Sequence, residues 1–445
     1  MSGLLDAEGV VLTALVAGVV VWYLITALAR SRPGFRIGAP VLAGVGIRLA
    51  AIAGIGATSL NSTLRGGDEL TFLSQARFLA TQPLGHGTLP HGLYQLQTSL
   101  LAVELKLDFL TEGALRVTQV GIATVGAVLI LAAVYDLAGG RAARLAGWLL
   151  ALEPAAIFFN SALHKEPLMQ LAAGLIVFGG TMIWRRLDVR GILVCALGGL
   201  IAVETRAYAG WFLVSAAVLL LLHAALRNLH RPLRAMPAIY VVGMIAFVAT
   251  PVLLQASSKE NLEPLQESQD ANATGAGQGT GGANASNLAL ERVDLSTRAA
   301  ILQNLPRRMR DLIVRPYPWQ LGNWSQRLGA VGTLVAYAIL LLLLRYAWLN
   351  RGAVFARAGP VLYPLLFMLA AYSLSVGNAG TGFRYRSHLV MLAIAAMVIL
   401  REHARPAPTI AREPRAPNRT AARMPVAEGE PSLDLTHPRS RYARR

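Results

Sequence analysis

The sequence predicts an all-α polytopic membrane protein of about eleven transmembrane helices. Three observations predict the membrane class. Hydrophobic residues make up 54% of the 445-residue chain and charged residues 15%, against roughly 25% charged in soluble domains. The apolar residues fall in blocks of about 20, the length a helix needs to cross a hydrocarbon core of roughly 30 Å. Arginine collects in alternate loops between those blocks, the charge asymmetry that orients a membrane protein. With a mean hydropathy of +0.49, a soluble two- or three-domain reading of this length fails.

The candidate spans cover 9–29, 38–59, 115–137, 145–160, 167–184, 191–204, 207–226, 236–256, 327–345, 358–376 and 387–400. Those at 145–160, 191–204 and 387–400 are shorter than the roughly 17 residues of an upright helix and must borrow flanking residues or bend. Asp6 and Glu8 precede the first span, whereas Arg30, Arg32 and Arg36 follow it. This order predicts an outside N-terminus and an uncleaved anchor, because a signal peptide carries its positive charge ahead of the apolar run. Arg141 and Arg144, then Arg185, Arg186 and Arg190, then Arg227, Arg231 and Arg234, then Arg345, Arg351 and Arg357 fall on the same side as those first arginines. So does the tail after Leu400, with ten Arg against five acids, which predicts a cytoplasmic C-terminus.

The net charge of +17 is therefore mostly topological. Nucleic-acid binding is excluded as a reading, because the arginines are dispersed and no stacking platform or binding motif accompanies them. Cys195 is the sole cysteine, so no intrachain disulfide and no cysteine-based metal site forms. No metal and no cofactor are expected. The organisation read is a multi-span domain over 1–400 and a disordered basic tail over 401–445, placed to lie against anionic membrane lipids. An outer loop spans 60–114. A second outer loop, 257–326, contains a Gly-, Ala- and Asn-rich stretch from Gln266 to Asn287 that buries too little apolar area to order itself.

The face opposite the basic loops collects the unusual polar residues. Asp68 and Glu69 open an amphipathic segment in the first outer loop. Two readings of them stand: carboxylates that complement a helix N-terminus, or a general base beside the membrane with a second acid orienting an acceptor. His91, in Leu89-Pro90-His91-Gly92, reads as a loop hydrogen-bonder or a substrate contact. Lys165-Glu166-Pro167 starts a helix, where Pro is ordinary punctuation. Ionisable groups at membrane depth also tend to face a cavity. Arg206, between two spans, pairs with a carboxylate or holds a phosphate. Arg384 and Arg386 follow a Gly-rich turn and read as interfacial anchors or as a fork for phosphate oxygens. Positive charge on the outer side has no topological reason to be there, and an anionic ligand compensates it. Lys165, Glu166, Arg206, Arg384 and Arg386 are thus the candidate binding residues, with His91.

Several motifs in order resemble a known family. They are Gly67-Asp68-Glu69 with Phe72, Leu89-Pro90-His91-Gly92-Leu93-Tyr94, Gly113-Ala114-Leu115-Arg116-Val117, Leu152-Glu153-Pro154, Asn160-Ser161-Ala162, Lys165-Glu166-Pro167-Leu168 and Phe383-Arg384-Tyr385-Arg386. This pattern resembles the GT-C fold membrane glycosyltransferases of the protein-mannosyltransferase and aminoarabinose-transferase type (glycosyltransferase family 39), closely over about 60–185 and loosely elsewhere. The chain differs in reading Pro90-His91-Gly92 where two prolines are commoner, and in placing two spans ahead of the loop. The resemblance implies a helical bundle whose first outer loop carries the active site. It implies inverting transfer from a polyprenyl-phosphate-linked sugar donor to a lipid, glycan or protein acceptor. Asp68 matches the family's catalytic acid-base position, Glu69 its acidic neighbour, and Glu166 falls near its second acidic site. The alternative functions are an envelope polysaccharide polymerase or ligase, and a transporter or flippase of lipid-linked intermediates.

Overall fold

The computed structural model describes residues 2–56, 67–83, 95–107, 111–230, 232–256, 297–315, 324–376 and 379–405, with isolated positions between. Among the described residues there are fourteen helices and no strand. They are α1 (Ser2–Arg30), α2 (Gly38–Gly56), α3 (Gly67–Thr81), α4 (Gln95–Leu105), α5 (Glu112–Ala151), α6 (Pro154–Asn160) and α7 (Glu166–Arg186). Then follow α8 (Val189–Thr205), α9 (Ala207–Arg227), α10 (Pro232–Ala256), α11 (Arg298–Val314), α12 (Trp324–Leu349), α13 (Val354–Ser375) and α14 (Ala379–His403). Among the described residues seven of these, α1, α5, α7, α9, α12, α13 and α14, are long and apolar enough to cross a bilayer. The protein is an α-helical, multi-pass membrane protein. Residues 1–404 form one unit, and the stretch from Arg405 onward, apart from Arg405 itself, lies outside the described residues. So does most of the expected loop 257–326.

The segments read as spans 115–137 and 145–160 are joined differently from expectation. A single helical element, α5, covers the first and the opening part of the second, and folds back at Gly139, whose φ of 85° suits a residue without Cβ. The two halves then face each other: a Cβ on Gly147 would stand 3.4 Å from Leu131. The second half stops at Leu152, and Pro154 opens the short α6. Glu153 caps it, accepting from the Ala155 amide at 3.2 Å and from that of Ala156. Pro at a first helical position and an acid at the cap are both favourable there.

α7 and α8 form a hairpin through a two-residue turn. Leu187 takes a left-handed conformation (φ 49°), and the Asp188 carboxylate caps α8 by accepting from the Arg190 amide at 2.9 Å. Glycines let these helices approach backbone to backbone. A Cβ on Gly126 of α5 would lie 2.6 Å from the Gln170 carbonyl of α7, and one on Gly174 would lie 2.5 Å from the Gly126 carbonyl. Close approach of this kind replaces the missing hydrophobic drive between helices in lipid. Gly126→Val should therefore push α5 and α7 apart and destabilise the bundle by about 1–3 kcal/mol or more. Thermal unfolding in detergent checks this: the variant melts lower, whereas Gly243→Val, at a position with open space around it, melts as the wild type.

One end of the bundle is held by a different set of polar contacts. Arg32 grips Asp136 through two hydrogen bonds, 3.0 and 2.7 Å, and Arg185 stands 3.4 Å from the same carboxylate. The indole of Trp184 donates to the Ala356 carbonyl at 3.3 Å, joining α7 to the start of α13. α1 packs on α5 with one stripe and leaves Val19, Trp22 and Tyr23 at least 64% exposed, as a lipid-facing helix does. The candidate residues gather at the other end.

Candidate functional site

Glu166 begins α7 and Arg206 stands between α8 and α9, so the α7–α8 hairpin returns the chain to its starting end and brings the two together. The Arg206 Nη2 atom lies 2.5 Å from Glu166 Oε1. The N-terminal part of α14 adds Arg384, whose Nε is 3.7 Å from the same oxygen. Glu166 is fully buried and Arg206 is 3% exposed. Two cations around one carboxylate give this buried cluster a net positive character. A buried charge is tolerable only when paired in this way. Glu166 Oε2 and Arg206 Nη1 make no hydrogen bond of their own, so each side of the pair keeps a valence in hand.

An aromatic and imidazole shell orients the cluster. The Arg206 guanidinium sits 4.6 Å above the Tyr385 ring, a cation–π contact. Tyr385 stacks on Tyr372 at 4.4 Å and accepts a 2.7 Å hydrogen bond from the Tyr208 hydroxyl. His388 bridges Tyr372, 3.1 Å from its hydroxyl, and the Glu166 backbone carbonyl, also at 3.1 Å. Since that carbonyl only accepts, the Nε2 of His388 carries the proton. Tyr208, Tyr372, Tyr385 and His388 are not legible as site residues from composition. Their signal was positional: Tyr385 and His388 lie on the same helical face as each other, and His388 is one turn beyond Arg384.

The acid-bearing helix α3 docks on the same end. Phe72, Leu73, Ala76 and Leu79 pack with Leu101 of α4, Leu115 of α5 and Leu163 in the α6–α7 connection. Lys165 places its ammonium 5.5 Å from the centre of the Phe72 ring. Glu69, 1% exposed, pairs with Arg116 of α5; Arg116 also reaches Glu112 at 3.2 Å and the Ser161 carbonyl at 3.2 Å. Arg116 therefore ties α3 to the segment that leads into Glu166. On α4, burial pushes the Glu104 carboxyl up to about 7, partly opposed by a hydrogen bond with Thr118.

The candidates distribute unevenly. Glu166, Arg206 and Arg384 form one cluster; Glu69 and Lys165 reach the adjoining connection through Arg116 and Phe72. Arg386 lies apart from Glu166 in its bonding. It donates to the Leu312 carbonyl at 3.1 Å, to the Thr333 hydroxyl at 2.8 Å and to the Arg315 carbonyl, clamping the C-terminus of α11. Asp68 is the second residue of α3, but its side chain lies outside the described residues, as does His91. Among the described residues no group of three or more His, Cys, Asp or Glu side chains is arranged to hold a metal ion. No protein-family model matches the chain, and neither a curated protein nor a solved structure matches it.

Proposed function

We propose that this protein is an integral membrane glycosyltransferase. It moves a sugar from a polyprenyl-phosphate-linked donor to an acceptor on the extracytoplasmic face of a bacterial inner membrane. The observation that carries this reading is the buried Glu166–Arg206 pair, with the half-buried Arg384 against it, beside the docking site of α3. A chain that spends few charges keeps Glu166 and Arg206 buried, with the half-buried Arg384 beside them, at the end where an acid-bearing helix sits. The resemblance of the motif order to the GT-C family supports the same reading.

In this scheme Asp68 removes the proton of the acceptor hydroxyl. The acceptor oxygen attacks the anomeric carbon from the face opposite the phosphate, and the carbon–oxygen bond to the phosphate breaks with inversion. The leaving group is polyprenyl phosphate, and Arg206, Arg384 and Lys165 stabilise its developing charge, as preorganised cations do; Arg386, turned to α11, holds the α11 end of the site in place. Glu166 holds Arg206 and Arg384 in place. Glu69 and His91 orient the acceptor, a lipid, glycan or protein. The topology in this proposal has about eleven passes, with α5 supplying two of them by folding at Gly139. The N-terminus is outside and the basic loops are cytoplasmic.

Sealed vesicles test both the activity and its side. Right-side-out vesicles carrying the protein should release polyprenyl phosphate from a polyprenyl-phosphate sugar supplied on their outer face together with envelope acceptor. Inverted vesicles should not. Equal donor survival with and without the protein, in both orientations, overturns the reading.

A further inference from the structure

A cavity of about 40 Å³ lies within the helix bundle, bounded by α2, α5 and α7. Its walls are mostly apolar, but four polar side chains line it: Arg48 from α2, Thr124 from α5, Glu153 from the α5–α6 junction and Gln170 from α7. Gln170 is about one helical turn from Glu166. Neither Arg48 nor Glu153 has a part in the proposed transfer.

Arg48 is 7% exposed, and Glu153 is 1% exposed. Arg48 donates from Nη1 to the Gly44 carbonyl at 3.0 Å and from Nη2 to the Leu150 carbonyl at 3.4 Å. A guanidinium carries five N–H donors, so further donors remain on the cavity side. The Glu153 oxygens accept from the Ala155 and Ala156 amides, and each carboxylate oxygen has a second lone pair. No direct ion pair joins the two side chains among the described residues, although both line the same cavity. Charges of both signs in the lining disfavour an ionic occupant, and about 40 Å³ is the space of a few water molecules.

We propose that this cavity is a hydrated site in which about three water molecules bridge the Arg48 guanidinium to the Glu153 carboxylate. Bridging water lets a buried cation and a buried carboxylate complete their hydrogen bonds without touching, at small entropic cost. It links α2 to the α5–α6 junction from inside. The Arg48 carbonyl accepts the Ser161 hydroxyl at 3.2 Å on the far side of the same residue.

Met391 of α14 lines the cavity and is only 2% exposed. Met368 and Met397 are equally buried and stand outside the lining. Hydroxyl-radical footprinting by X-ray radiolysis of the full-length protein in detergent generates radicals from bound water, and mass spectrometry reads methionine oxidation. Met391 should oxidise severalfold faster than Met368 and Met397. Ala127→Leu, which fills the cavity from its own wall, should bring Met391 down to their rate. Oxidation of Met391 at the rate of Met368 and Met397 in the wild type overturns the proposal, whatever the variant does. Unchanged fast oxidation in a folded Ala127→Leu protein overturns it too, because the radicals then come from elsewhere.

Discussion

Asp68→Asn is expected to lower sugar transfer by about 10²–10⁴-fold, the usual contribution of a general base, while leaving the protein folded. The side chain keeps its size and loses only the ability to take the acceptor's proton. Asp68 is the second residue of α3, in the first turn, where losing a charge that complements the helix dipole costs only about 0.3–1 kcal/mol. The substitution thus separates the two readings of this acid. If Asp68 only complements the helix terminus, the Asn variant transfers at the normal rate; if it is the base, transfer is lost without a change in melting temperature. Rates with a labelled polyprenyl-phosphate sugar, measured beside thermal unfolding in detergent, decide between them.

Glu166→Gln should produce the largest effect on stability, about 3–5 kcal/mol, because it strips the charge from one side of a buried pair. Glu166 has no exposed surface, and its partner Arg206 has 3%. The variant leaves Arg206 and, at 3.7 Å, Arg384 without their carboxylate. Thermal unfolding in detergent should shift down by several degrees. Replacing Arg206 by Met in the same chain should recover part of the loss, since removing both partners of a buried pair costs far less than removing one. A Glu166→Gln protein that melts as the wild type contradicts the pairing.

Much of the fold was readable because apolar length and arginine placement are local properties of a chain. Each apolar stretch read as a span is helical at least in part, and Pro167, read as the punctuation of a helix start, lies in the first turn of α7. The fold-back of α5 was harder to see, because it depends on a single backbone angle at Gly139 within Gly139-Gly140. Depth arguments marked Glu166, Arg206 and Arg384 one at a time. Their meeting depends on a hairpin return over 40 residues and on α14 packing beside it, and spacing cannot report that. Arg386 looked equivalent to Arg384 by sequence, yet two residues along a helix turn it to another face, where it clamps α11. Glu69 read as a cap or an orienting acid; its partner Arg116 is 47 positions away. Arg48 and Glu153 carried the same signal of charge within apolar stretches and were passed over.

Lipid-linked sugar profiling, in a strain lacking this protein, tests the proposed transfer most directly. If the protein consumes a polyprenyl-phosphate sugar, one such donor accumulates when it is removed, and its sugar names the substrate. Wild-type protein restores the normal pool and Asp68→Asn does not. A lipid-linked sugar pool that is unchanged by the deletion contradicts the glycosyltransferase assignment.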